Sequence, residues 1–121
     1  MILVDASVWI DHLRAPVEEL QALLESSSVL MHPFVIGEIG LGSIPRYDFT
    51  MRGLSKFPLA TKARDDDVLY LVREHRLYGR GVGYIDVHLL ASTLLTPEAC
   101  LWTRDKRLAE IAASFGVGYN R

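Results

Sequence analysis

The chain has 121 residues, half of them hydrophobic and 23% charged, which fits one globular domain over residues 1–121 and excludes a disordered chain. Its 15 acids against 13 lysines and arginines give a formal charge of −2, which argues against simple electrostatic capture of nucleic acid. That objection fades if several acids face cations, because setting four aside leaves 11 against 13.

Ile2–Val4 is a short apolar run ended by Asp5, the pattern of a strand buried on both faces of a parallel sheet. The start, MILVD, lacks the basic residues and the length of a secretion signal. Pro16 opens PVEELQALLES, with Val17, Leu20, Leu23 and Leu24 at helical spacing and acids near the N-terminal end. A second strand is expected over Val29–His32, followed by a helix from Pro33 through FVIGEIGLG. Three glycines in that helix, Gly37, Gly40 and Gly42, point to close backbone contact.

Ile44–Phe57 reads as a short helix with loops, rich in Arg46, Arg52 and Lys56, and Leu59–Ala60 as a brief strand. After Asp65–Asp67 comes an amphipathic helix, VLYLVREHRLYG, ending in a loop over Gly79–Gly83. An apolar helix over Ile85–Leu95 stops at Thr96–Pro97. A strand at Cys100–Thr103, a helix over Lys106–Phe115 and a last strand near Val117–Tyr119 complete the order. Cys100 is alone, forms no internal disulfide and is expected to be a buried thiol. No apolar stretch nears the ~20 residues that cross a bilayer, so a cytoplasmic protein without a membrane partner is expected. Strands alternating with helices imply an α/β fold with a doubly wound parallel sheet.

In such a sheet ligands bind beyond the carboxyl ends of the strands, where strand order reverses. Asp5 ends the first strand and Asp105 follows the strand CLWT by one residue, so both belong to that edge. Glu38 and Asp86 interrupt apolar helices and are expected to face the interior or a cleft. Each acid alone has a structural explanation: Asp5 as a helix cap, Asp105 and Asp86 at positive helix ends. Glu38 resists one, since no basic residue lies within a helical turn of it. Four acids on one edge suit a hard divalent cation, Mg²⁺ or Mn²⁺, that keeps several waters. His88, two residues after Asp86, falls on a different side of that helix and is expected to be packed; His12, His32 and His75 share no metal-ligand spacing and Cys100 offers no thiolate cluster, which argues against a zinc site. Trp9 and Trp102 sit in apolar runs and are assigned to the core or an interface.

The segments VDASVWIDHLR, the Glu38 helix, GYIDVHLLAST and LWTRDKRLAEIA resemble, in order and spacing, the PIN-domain ribonucleases, and among them the VapC-type toxins of toxin–antitoxin pairs. The resemblance runs from end to end of the chain. It implies a central parallel sheet flanked by helices in a single PIN domain, and metal-dependent hydrolysis of RNA. Asp5, Glu38, Asp86 and Asp105 take the acidic positions, which bind the metal and are catalytic, while Ser7 and Thr103 match the family's accompanying hydroxyls, either as support for the carboxylates or as turn and capping groups. Many relatives carry a further acid where this chain has Arg107, which implies one resident ion and a second arriving with the phosphate. A VapB-type antitoxin covering the site, self-association as a homodimer and a toxin–antitoxin hetero-oligomer follow from the same resemblance.

An activated water attacking phosphorus leaves 5′-phosphate and 3′-hydroxyl ends. Arg14, Arg104, Lys106 and Arg107 near the acidic edge are candidates to hold RNA phosphates. A phosphatase on a similar sheet typically shows D-x-D after the first strand, against Asp5-Ala6-Ser7 here. The remaining alternatives are a PIN nuclease that is not a toxin and a silent PIN-like binding module; loss of an acid favours the latter, and none is missing.

Overall fold

The computed structural model describes residues 1–119. Three strands, β1 (Ile2–Val4), β2 (Val29–Leu30) and β3 (Cys100–Trp102), pair in parallel in the order β2–β1–β3. Their apolar residues Leu3, Val4, Val29, Leu30 and Leu101 are buried, as continuous hydrophobic runs covered on both faces should be. Single parallel bridges, Met31 with Leu59 and Leu101 with Gly118, extend the sheet by one lane at each edge. Across the sheet the order is therefore Leu59, β2, β1, β3, Gly118. The chain winds outward from β1 to one side, then returns to the other. The reversal falls between β1 and β3, whose carboxyl ends carry Asp5 and Asp105.

The helices are α1 (Ala6–Arg14), α2 (Glu18–Glu25), α3 (Pro33–Gly40), α4 (Tyr47–Leu54), α5 (Asp65–Glu74), α6 (Tyr84–Leu95) and α7 (Lys106–Ser114). Every expected helix is present within a few residues. Helix α1 was not among them, although Ala6, Trp9, Ile10 and Leu13 carry the i, i+3, i+4, i+7 apolar spacing of one. Helix α6 is buried from Val87 through Thr93, and Leu89 and Leu90 are wholly enclosed. An all-round apolar sequence suits a helix covered on every side.

Some expectations need correction. The second strand stops at Leu30, and the outer lanes expected at Leu59–Ala60 and Val117–Tyr119 are single bridges. Of the three glycines in and after α3, only Gly40 meets the close packing expected. A methyl there would lie 2.6 Å from the Met51 side-chain end and 3.2 Å from the Tyr47 hydroxyl, whereas Gly37 faces open space. Gly42 meets only the Ile39 carbonyl, at ordinary contact distance. Cys100 is half-buried rather than enclosed. Trp9 and Trp102 are buried in the core, as expected.

His32 is fully buried at the start of α3. Its Nδ1 accepts the Phe34 N–H at 3.0 Å, so its Nε2 carries the hydrogen and donates to Ser92 Oγ at 3.1 Å. Burial first, then the charges of His88 and Lys62, lowers its pKa to about 4. A histidine whose pKa falls on folding stabilises the fold above its unfolded value near 6.5. That contribution is lost as pH falls from about 6.5 towards 4, because only the unfolded chain gains the proton. Urea midpoints are therefore expected to drop over this window. In His32→Asn, which keeps a capping acceptor, the drop is expected to be shallower than in the wild type.

Candidate active site

The four acids singled out by the sequence line one cleft of about 430 Å³, together with Ala6, Ser7, Ile10 and Leu41. Each reaches it from a different element. Asp5 stands between β1 and α1, where its N–H donates to the Trp102 carbonyl of β3 at 2.9 Å. That bond locks it into the switch point of the sheet. Glu38 projects from α3, which packs against α1. Asp86 lies in the first turn of α6, and Asp105 caps α7.

Asp5 is 6% exposed and has no partner of opposite charge within reach among the described residues; two hydroxyls hold it instead. Ser7 Oγ donates to Asp5 Oδ2 at 2.7 Å and Thr103 Oγ1 to the same oxygen at 2.8 Å. The two hydroxyls are themselves oriented. Ser7 Oγ accepts the Arg104 N–H at 3.1 Å, and Thr103 Oγ1 accepts the Asp105 N–H at 3.0 Å. The turn after β3 is thereby stitched to the carboxylate at the end of β1. Capping does not account for Asp5, because its side chain makes no bond to the α1 backbone.

Asp105 and Asp86 do serve as caps. Asp105 Oδ1 accepts the Leu108 N–H at 2.9 Å, and Asp86 Oδ2 accepts the Gly83 N–H at 3.3 Å. In both, as in Asp5, one oxygen is used by the protein and the other has no protein hydrogen bond among the described residues. Glu38 has neither oxygen engaged among the described residues. The structural and the functional explanations of these acids are thus compatible: one oxygen fixes the side chain, the other remains for a ligand.

The electrostatics carry the signature of crowded like charge. Partial burial in the cleft, then the charges of Asp5 and Asp86, raises the Glu38 carboxyl above its usual range. Asp86 is also raised, by burial first and then by Asp5 and Asp105, against the lowering effect of its Gly83 bond. Unneutralised carboxylates that raise one another in this way favour a cation between them. Among the described residues no three acid, histidine or cysteine side chains converge tightly enough to grip an ion by themselves. The donor set is one of hard oxygens spread around an open cleft, which fits Mg²⁺ or Mn²⁺ retaining several waters and does not fit zinc.

The basic candidates divide. Arg104 is committed to Asp11 of α1 at 2.7 Å. Arg14 lines a separate groove with Leu13 and Ile44, while Lys106 is exposed at the start of α7. Arg107 turns towards the glycine loop before α6. His88 is enclosed in α6, where its Nε2 meets Asp65 Oδ1 at 3.1 Å and Phe34 and Tyr84 pack edge-on against its ring. The sequence reading missed Leu41, which is 90% exposed at the rim of the cleft, and Ile10 on its wall. The apolar faces of α1 and α3 were the signal for both.

Comparison with known proteins fits this geometry. The chain is 48% identical over 120 residues to Ribonuclease VapC32 of Mycobacterium tuberculosis, in both strain CDC 1551 / Oshkosh and strain H37Rv. The match covers 97% of this chain and 94% of the relative. Among solved structures, PAE2754 from Pyrobaculum aerophilum shares the fold with a TM-score of 0.57 at 22% identity, covering 90% of this chain and 77% of that one. No protein-family model matches the chain.

Proposed function

The chain belongs to the VapC ribonucleases, and from that premise we propose that it is the toxin of a VapBC-type pair, a metal-dependent endoribonuclease acting as one PIN domain. The carrying observation is Asp5: a buried carboxylate at the topological switch point, with one oxygen held by Ser7 and Thr103 and the other left over. Asp5, Glu38, Asp86 and Asp105 are the residues to hold Mg²⁺ or Mn²⁺. A bound divalent ion there supplies charge neutralisation at the phosphate and a more acidic water.

The chain's own contribution is orientation. The two hydroxyls fix the rotamer of Asp5, and the Leu108 and Gly83 N–H groups fix Asp105 and Asp86. Ile10 and Leu41 give the cleft an apolar edge beside the four acids. In the reaction a water oxygen bonds to phosphorus, the P–O3′ bond breaks, and the 3′ oxygen takes up a proton. Mapping the ends of cleaved cellular RNA with Mn²⁺ present is expected to give 5′-phosphate and 3′-hydroxyl. Finding 2′,3′-cyclic phosphate would overturn the water-attack route, since that product comes from the RNA's own 2′-hydroxyl.

Ser7→Ala tests the support of Asp5. Loss of a residue that orients a metal-binding side chain costs about 10–100-fold in activity or metal affinity. A drop of that size is expected here. Because Ser7 Oγ also takes the Arg104 N–H, a small loss of stability should accompany it. Activity equal to wild type under limiting Mn²⁺ would mean that Thr103 alone suffices. The same premise implies a VapB-type antitoxin over the cleft and self-association. No helix among the described residues is long and apolar enough to cross a membrane; a cytoplasmic setting is part of the same proposal.

A further inference from the structure

RNA approaching four carboxylates is repelled, so cationic side chains must stand beside the cleft without being consumed by the protein's own acids. Arg104 is consumed, by Asp11. Two others are not. Arg80 and Arg107 line one groove of about 240 Å³ with Glu110 and Ile111, and no acid lies within ion-pair distance of either arginine among the described residues. Arg80 also borders a second hollow of about 210 Å³ that includes His75 and Ser114.

Arg107 lies against the loop before α6. Its guanidinium lies over Gly81, where an added Cβ would come within 2.4 Å of Nη1 and 2.9 Å of Cζ. Gly81 also has φ +81°, a conformation that side-chain-bearing residues rarely adopt. The positive φ is what favours glycine there, while the approach brings the Arg107 side chain against the loop. The two arginines adjoin the acidic cleft through short segments: Arg107 is two residues beyond Asp105, and Arg80 precedes the first turn of α6 that carries Asp86. Glu110 also lines the groove and opposes an anion there, so the site depends on both arginines outweighing one acid.

We infer that the groove between the 79–83 loop and α7 is a phosphate-binding subsite, in which Arg80 and Arg107 hold the RNA backbone beside the scissile bond. This rests on the nuclease reading and adds to it a binding track that runs from the cleft along α7. Its chemistry is that of guanidinium on phosphate: charge and forked hydrogen bonding, without base selectivity.

The test is fluorescence anisotropy with a 5′-labelled, mixed-sequence 12-nucleotide RNA in EDTA, so that binding is read apart from cleavage. Each of Arg80→Gln and Arg107→Gln is expected to weaken binding by roughly 10-fold. Each should also flatten the slope of log Kd against log salt by about 0.7, the value of one single-strand phosphate contact, and the double variant by about twice that. Arg107→Lys should restore most of the slope, because it returns the charge; Arg64→Gln, in an exposed pair with Asp66, should change nothing. An unchanged salt slope in a double variant with native circular dichroism would overturn the proposal. So would binding of poly-glutamate, but not RNA, that is lost in the double variant, since the groove would then read an acidic protein segment. Absence of Asp5-dependent RNA cleavage by the wild type would remove the nuclease reading instead, and the EDTA binding result stands apart from it.

Discussion

Asp5→Asn is expected to reduce RNA cleavage by about 10²–10³-fold, the scale for losing one fixed group that stabilises charge at a reacting centre, while the protein stays folded. The reasoning starts from how Asp5 divides its two oxygens. Ser7 and Thr103 both donate to Oδ2, and an asparagine carbonyl oxygen can take that place with both hydroxyl bonds intact. The amide NH₂ then occupies the position of the remaining carboxylate oxygen. An acceptor that suits a cation or a water proton becomes a donor that suits neither. Asp5→Ala is the poorer variant, because it takes the acceptor from the buried Thr103 hydroxyl and the half-buried Ser7 hydroxyl and costs stability as well. Comparison of kcat/KM for wild type and Asp5→Asn with a labelled RNA, beside matched melting curves, separates the two effects. Equal cutting by both proteins would sink the assignment of Asp5, and with it the function built on this cleft.

What the sequence made legible was the middle of the fold. Ile2–Val4 and Cys100–Trp102 are apolar without interruption and end at acids, so their burial, their parallel pairing and the placement of Asp5 and Asp105 all follow from one pattern. The edges were less legible for a physical reason. An outer lane made of a single bridge, such as Leu59 on Met31, needs no strand-forming run and leaves no periodic trace. Helix α1 had its trace, Ala6, Trp9, Ile10 and Leu13, but begins directly at the strand end with no proline or glycine to mark it. At the site, residue types announced the four carboxylates, whereas their division of labour required coordinates. That Ser7 and Thr103, 96 positions apart, share a single oxygen of Asp5 is a product of the fold. Arg80 was invisible for the same reason: nothing in its neighbourhood of the chain connects it to Arg107.

Neutralising Glu38 is expected to stabilise the metal-free protein and to abolish much of the stabilisation that a metal brings. Glu38 and Asp86 have carboxyl groups raised on folding by burial and by neighbouring acids. A raised carboxyl pKa means that the folded state holds its proton more firmly than the unfolded chain does. The stability this gives is complete below the unfolded value and is lost as pH rises through the folded one. At neutral pH in EDTA the cleft therefore works against the fold, and Glu38→Gln should melt at a higher temperature than wild type. A divalent cation reverses the balance by binding the folded state alone. At a hundred times its Kd the gain is about 2.7 kcal/mol, roughly 10 °C for a domain of this size. Wild type is expected to show that shift with Mn²⁺, and Glu38→Gln a markedly smaller one. Mn²⁺ shifts of equal size in both would remove Glu38 from the ligand set, and no shift in either would leave the cleft without its cation. Glu38 is thus an acid that works against the empty protein and, on the proposed metal reading, one whose removal should cost the loaded protein its metal.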